Sequence, residues 1–394
     1  MVLGLSNPFR GAAWTRAGFF AKCWTKNGNR VDVLGTVTPK TLRKRGSKKV
    51  DETSVYNIIP HMISSNPLVF AIDTITSFLV TAIMLGAKRP DVTLISMPPG
   101  DVGLGAIMAC RFTGTKYVVE YRDEWEKYEI NRTESVVYRK SYTFIKTLMS
   151  KLLQRSPLVV TVTSFFAHNL RLRGRKNVEV LPNGADVTVF KPINKNKVRK
   201  KLGISPDDFV IVYTGIIGDY YRLDVVVRAL AKLEGDLRDK VKLFLIGDGS
   251  QVPEVMKITR ELGLEKTVNY LGTKKIEDLS EIVAASDVSI VPGFYAKGQV
   301  AVKFFESSAC GIPAISITPE DSLLAKIINE EKIGINLPSM SEDALAKAIL
   351  EIYENEPFRI AAGKKARKFV EEGFDRKKIA KEYSKRILQY VNSS

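Results

Sequence analysis

The sequence predicts an α/β protein of two doubly wound domains, and three observations predict it. Short apolar runs recur along the whole chain with helical patterns between them, which is the grammar of a parallel sheet. The 394 residues, 45% hydrophobic and 26% charged, hold enough apolar material for two sizeable cores. Midway, the polar stretch Pro192-Ile193-Asn194-Lys195-Asn196-Lys197 interrupts the alternation and places a domain boundary after residue 192.

In the first half, Val2–Ser6 and Val31–Leu34 read as buried strands around a helix at about 15–27, followed by strands at Val92–Ser96, Tyr117–Glu120 and Leu158–Val162. The second half repeats the pattern at Phe209–Tyr213, Lys242–Ile246, Val268–Leu271, Val288–Val291 and Ala314–Ile317. The run Leu68–Ala87 is nearly long and apolar enough to span a bilayer. Asp73 within it is costly there, and Pro67 suits the first turn of an ordinary helix, so a core helix is expected.

Several classes of function are excluded. Cys23, Cys110 and Cys310 form no C-x-x-C pair, which removes a disulfide framework and a thiolate zinc site and points to a reduced cytosolic compartment. Two histidines, His61 and His168, cannot make a histidine-rich metal centre. No secretory signal pattern opens the sequence given. The net charge of +17 is uneven: residues 1–192 hold 28 Lys and Arg against 14 Asp and Glu, and residues 193–394 contribute only +3. Such asymmetry suits an anionic partner of the first half: a membrane face, a nucleic acid or a phosphorylated substrate.

In open α/β sheets ligands bind beyond the carboxyl ends of strands. Three such ends carry small residues: Asn7-Pro8-Phe9-Arg10-Gly11-Ala12-Ala13, Thr214-Gly215-Ile216-Ile217-Gly218 and Gly247-Asp248-Gly249. Glycines there admit a ligand to the backbone, and helix N-termini that follow favour phosphate, although each loop alone reads equally as a turn. None is a Walker or G-x-G-x-x-G loop. The most specific run is 298–316, where Lys303 and Glu306 share one helix face before the stop at Gly311 and Pro313. A cation suits phosphate and a carboxylate suits ribose hydroxyls; the spacing alone also fits a surface ion pair.

This run resembles the donor-binding region of family 4 retaining glycosyltransferases of the GT-B fold, in the branch with Lys-x-x-Glu followed by Ala-Cys-Gly-x-Pro. Other stretches agree in order: Pro90-Asp91, Tyr121-Arg122-Asp123-Glu124-Trp125, Leu181-Pro-Asn-Gly184 with Asp186, Phe190 and Pro192, Gly215-x-x-Gly218 with Leu223-Asp224, Phe244-Leu-Ile-Gly-Asp-Gly249, Val268-Asn-Tyr-Leu-Gly272, and Ala285-Ser-Asp287 through Pro292. The resemblance implies two Rossmann-like domains facing across a cleft: residues 1–192 on the acceptor side, 193–370 for the nucleotide-sugar, and 371–394 as a helix returning to the first domain. Departures are specific. Gly298 stands where members often have the first of two glutamates, leaving backbone at Gly298–Val300 in its place. Asp123 stands where many have a histidine, and Gly11-Ala12 replaces a double glycine.

The implied activity is transfer of a sugar from a nucleotide-sugar to an acceptor with retention. The departing diphosphate needs preorganised cations and amides. With no D-x-D in the chain, no metal is expected, and Lys303, Arg222, amides near Gly215 and the helix start at 300–303 are the implied stabilisers. Glu306 would hold ribose, and Leu271, Gly272 and Thr273 the base edge. Gly218, Gly247 and Gly298 would complete the donor site, with Asp123, Gly11 and Ala12 on the acceptor side. A GT-B nucleotide-sugar binder or epimerase-like enzyme is one rival, short of the histidines an epimerase wants. A nucleic-acid binder is another, suggested by Arg43-Lys44-Arg45 and Lys48-Lys49 but without an aromatic–basic strand signature. The charge of the first half, with Arg139, Lys140, Lys146, Lys151 and Arg155 beside an apolar stripe in Val136–Arg155, and Arg171, Arg173, Arg175 and Lys176 nearby, points to a lipid-linked acceptor at the cytoplasmic face of an anionic membrane.

Overall fold

The computed structural model describes residues 2–5, 11–39, 41, 46–50, 52–293 and 297–393. The chain divides into two compact units, the first made of residues 1–182 with 377–394 and the second of 183–376.

In the first unit the strands are β1 (Val2–Leu5), β2 (Asp32–Val37), β3 (Gly46–Val50), β4 (Thr53–Pro60), β5 (Thr93–Met97), β6 (Tyr117–Tyr121), β7 (Leu158–Thr161) and β8 (Glu179–Val180). They lie in the order β3-β4-β2-β1-β5-β6-β7-β8, parallel except for the antiparallel pair β3–β4. The sequence reading did not anticipate this hairpin. In β4, alternate residues from Thr53 to Ile59 face inward, whereas most of β3, with Lys48 and Lys49, lies exposed. Charged side chains of this kind keep a sheet edge from pairing further. The stretch Arg43-Lys44-Arg45 lies outside the described residues, as does Asn7–Arg10.

The second unit has β9 (Phe209–Ile216), β10 (Val241–Asp248), β11 (Val268–Gly272), β12 (Val288–Pro292), β13 (Ala314–Ile317) and β14 (Gly334–Leu337), all parallel in the order β11-β10-β9-β12-β13-β14. Chain direction of the winding reverses between β9 and β12, the position where doubly wound sheets open to ligands. Leu243, Leu245, Ile211, Tyr213, Val288 and Ile290 pack in the core on one side of this sheet, and Val210, Val212, Phe244, Ile246 and Val291 on the other. Burial on both faces explains why the strands read as unbroken apolar runs.

The boundary expected after residue 192 falls ten residues earlier. Ala185 and Phe190 are wholly buried in the second unit's core, and the Ala185 amide donates to Phe374 O. That segment therefore belongs to the second unit, as do residues 371–376. The last helix, Arg376–Ser393, lays Ile379, Ala380, Tyr383 and Ile387 on Ala17, Phe20 and Trp24 of the first unit's helix Gly11–Lys26.

The helix Pro67–Lys88 forms where expected, with Asn66 capping Leu68 N, and Phe70 and Leu85 join the first unit's core, but a second apolar face stays outside it. Its buried side carries Asp73, Thr74, Ser77 and Thr81, while Leu68, Ile72, Ile75, Leu79 and Ile83 are exposed. By length and composition it could cross a membrane. The basic helix Val136–Gln154 corrects another expectation. Its stripe of Tyr142, Ile145, Met149 and Leu153 is buried in the first unit's own core, so that stripe is not a membrane face. Arg173 is likewise engaged inside the unit, donating to Tyr121 Oη at 2.9 Å and Glu126 Oε1 at 3.0 Å. Arg175 donates to Pro157 O at 2.9 Å.

Candidate functional site

In the second unit, the ends of β9 and β10 approach so closely that only glycine fits. Gly215 and Gly247 have φ of +122° and +146°, and a Cβ on Gly247 would collide with the Gly215 carbonyl. A Cβ on Gly215 would in turn lie 3.1 Å from Lys303 Nζ, so the bare backbone leaves that amine its place. The run after β12 forms the helix Val302–Ala309, as the spacing of Lys303 and Glu306 required. Its N-cap, Ala301, offers no side chain to the first amides, which stay open to a ligand.

Lys303 Nζ is buried and has no hydrogen-bond partner among the described residues. It sits 3.9 Å from the ring centre of Tyr213 and 4.2 Å from that of Tyr221. The ring faces attract the cation but do not replace its hydration. Burial accordingly pushes its pKa down to about 7, with Glu306 pulling the other way. Burial raises the Glu306 pKa, opposed mainly by Arg376, whose Nη2 lies 3.6 Å from Glu306 Oε1. Arg376 is 1% exposed and donates to Asn183 O at 3.2 Å and Gly184 O at 2.6 Å. A buried amine without an acceptor, a carboxylate three residues on and open helix amides together suit a phosphorylated ligand with neighbouring hydroxyls.

Arg222, the other expected stabiliser of the diphosphate, is paired locally. It is half-exposed, in left-handed backbone, and its Nε and Nη2 both donate to the Asp224 carboxylate at 2.9 Å. Gly218 precedes the short 3-10 turn Asp219–Tyr221 that delivers Tyr221 to Lys303. Leu271 and Gly272 end β11, with Gly272 at φ +65° and Thr273 exposed just beyond. Gly298 is buried in a turn ahead of the Lys303 helix, and residues 294–296 before it lie outside the described residues.

In the first unit, Asp123 follows β6. Burial raises its pKa to about 6 against the pull of Arg122, and its Oδ1 has no hydrogen-bond partner among the described residues. Behind it, Glu120 is held by Arg16 at 2.9 Å and Ser96 at 2.7 Å, a buried network that fixes the end of the strand. Gly11 and Ala12 open the helix after β1. A cluster the sequence did not disclose joins His61, Asp73 and Asp101, whose ligand atoms lie within 4.8 Å of one another. His61 Nε2 is 3.3 Å from Asp101 Oδ2, and Asp73 accepts the Met62 amide at 2.9 Å. Arg376, Tyr213 and Tyr221 were also missed: Arg376 is seventy residues from Glu306, and no local spacing connects them.

Residues 194–369 match the family described as glycosyl transferases group 1. The match lies within the second unit and includes Gly215, Gly247, Lys303 and Glu306. The chain is similar to an uncharacterized glycosyltransferase of Methanocaldococcus jannaschii, 24% identical over 257 residues, covering 64% of this chain and 63% of that protein. It spans less than two thirds of the length of the curated relatives it matches. Among solved structures, the sucrose-phosphate synthase from Thermosynechococcus elongatus superposes with a TM-score of 0.81 at 17% identity, covering 100% of this chain and 98% of that one. The Anabaena protein HepE in complex with UDP-glucose gives 0.73 at 16% identity, with 98% of each chain covered. The fold is GT-B, and the stretch that matches the group 1 glycosyltransferase model lies within its second unit.

Proposed function

We propose that the protein is a retaining glycosyltransferase that moves a hexosyl group from a nucleotide-sugar to a lipid-linked acceptor at the cytoplasmic face of a membrane. The observation that carries the donor half is Lys303: a buried amine with no acceptor of its own, at the start of a helix whose first amides are uncapped. In this reading Lys303 and those amides receive the diphosphate and hold the charge that grows as the glycosidic bond breaks. Glu306, held by Arg376, accepts hydrogen bonds from ribose hydroxyls, and backbone at Leu271–Thr273 meets the base. Asp123, with its raised pKa, serves on the acceptor side. HepE was solved with UDP-glucose, which supports a uridine nucleotide as the first to try. Incubation with a panel of nucleotide-sugars, followed by assay for released nucleoside diphosphate, tests the reading directly; no release from any donor would overturn it.

Replacing Glu306 with Ala removes the ribose acceptor from a largely desolvated place. Nucleotide binding should weaken by about 1.5–3 kcal/mol, the range for hydrogen bonds to charged groups. Titration calorimetry that finds equal affinity in Glu306→Ala would take Glu306 out of the site.

Transfer is expected to proceed without a divalent metal, because in this reading Lys303 and the neutral helix amides receive the diphosphate and the chain has no D-x-D pair. Activity should survive excess chelator. Loss that Mg²⁺ or Mn²⁺ restores would show that a metal does the work assigned to Lys303.

A further inference from the structure

The helix Pro67–Lys88 exposes an apolar stripe where a surface helix of a water-soluble protein carries polar residues, and packs four polar side chains inward. The buried residues facing the unit are Asp73 (2% exposed), Thr74, Ser77 and Thr81, with Phe70 and Leu85 near the two ends. Those facing outward are Leu68 (74%), Ile72, Ile75, Leu79 and Ile83 (70%), spaced four, three, four and four apart and so aligned on one face. The neighbouring helix Gly100–Thr113 extends the surface with Met108 and Phe112 (78%), the latter edge-on to Phe78 with ring centres 5.8 Å apart. Contiguous apolar surface of this kind marks a contact with a protein or a lipid phase.

Asp73 and Ser77 tie the buried side to the rest of the unit, which fixes how the helix can meet a membrane. Asp73 accepts the Met62 amide, and Ser77 Oγ donates to Val102 O at 2.8 Å. Gly105 lets the second helix press against the Thr74 carbonyl, where a Cβ would collide. Fastened along its length in this way, the helix lies against the unit and presents a stripe rather than spanning a bilayer.

We infer that this stripe, with Phe112, enters the acyl region of an anionic lipid bilayer, with the helix lying in the plane of the interface. Two features favour lipid over a protein partner. The helix stripe is purely aliphatic, whereas protein interfaces are enriched in aromatic residues, Met and Arg. Exposed cations adjoin it in sequence: Arg89 ends the helix and Arg111 precedes Phe112, while the same unit exposes Arg139 and Lys140 on the basic helix Val136–Gln154. They belong to a half of the chain with a formal charge of +14, matching anionic headgroups. This deepens the membrane reading above by naming the surface that carries it, and it moves that surface from the basic helix to Pro67–Lys88.

The test compares the full chain with Ile72→Gln/Ile75→Gln/Leu79→Gln by co-sedimentation with phosphatidylcholine vesicles with and without phosphatidylglycerol. All three side chains are exposed, so the variant should keep its thermal midpoint and its nucleotide affinity. The parent should bind phosphatidylglycerol vesicles, less tightly as salt rises, and the variant should bind about 100-fold more weakly, having lost apolar burial. A Leu79→Trp variant should show blue-shifted emission on those vesicles. If the parent binds and the triple variant binds equally, this face is overturned while the peripheral-membrane reading stands on another surface. If the parent stays in the supernatant, both fall, and nucleotide binding still judges the donor site separately. If the parent is a dimer that the variant dissolves, the face serves a second copy of the chain and the lipid assignment is overturned.

Discussion

Lys303→Met should abolish most of the sugar transfer, lowering kcat by roughly 100- to 1,000-fold, about 2.7–4 kcal/mol, the scale for removing one preorganised donor to a developing anion. Methionine preserves the packing between Tyr213 and Tyr221 but cannot carry charge. The pH dependence makes the prediction sharper. In the free protein the amine titrates near pH 7, well below the ordinary lysine value, because burial disfavours the cation. A bound diphosphate favours the protonated form and raises that pKa. Binding above pH 7 must therefore take up a proton, and affinity should fall by up to about tenfold per pH unit from pH 7 towards the pKa of the complex. Calorimetry in buffers of different ionisation enthalpy at pH 8 measures the uptake, expected to be close to one proton for the parent and none for Lys303→Met. Equal uptake in the two proteins would mean that the amine does not meet the phosphates.

Arg376→Ala should be the most destabilising single change near the site. The guanidinium is buried against two carbonyls and a carboxylate, and its loss leaves Asn183 O, Gly184 O and Glu306 without their partner. Breaking a buried pair from one side costs about 3–5 kcal/mol. For a unit of this size that corresponds to a fall of roughly 6–20 °C in the thermal midpoint. Arg376→Lys should recover part of the loss, since one ammonium cannot serve all three acceptors. An unchanged midpoint in Arg376→Ala would show that these bonds contribute nothing net.

The parts of this molecule legible in the sequence were those encoded locally. Lys303 and Glu306 needed only helical spacing, and strands buried on both faces announced themselves as apolar runs. Arg376 was illegible because its partner lies seventy residues away, and Tyr221 because a 3-10 turn, not a helix or strand period, aims it at Lys303. The helix Pro67–Lys88 was misread for a different reason. The apolar run Leu68–Ala87 and the cost of Asp73 in a bilayer point to a core helix, but they do not tell which face packs inward. Asp73, Thr74, Ser77 and Thr81 all lie on the packed side, where Asp73 bonds backbone of the loop after β4 and Ser77 bonds backbone of the neighbouring helix. Arg222 shows the converse: a cation in the right stretch of sequence is neutralised by Asp224 two residues on.

The last helix has a consequence for how the protein is made. The second unit is one uninterrupted stretch, 183–376, but the first is completed only by residues 377–394. On a ribosome residues 1–182 emerge before residues 377–394, so Phe20 and Trp24 wait for Tyr383, which meets both rings edge-on. At about 5–20 residues per second, translating the intervening 194 residues takes roughly 10–40 s. The unit begun first is therefore finished last, and through that interval the aromatic surface of its first helix is open to chaperones and to other nascent chains.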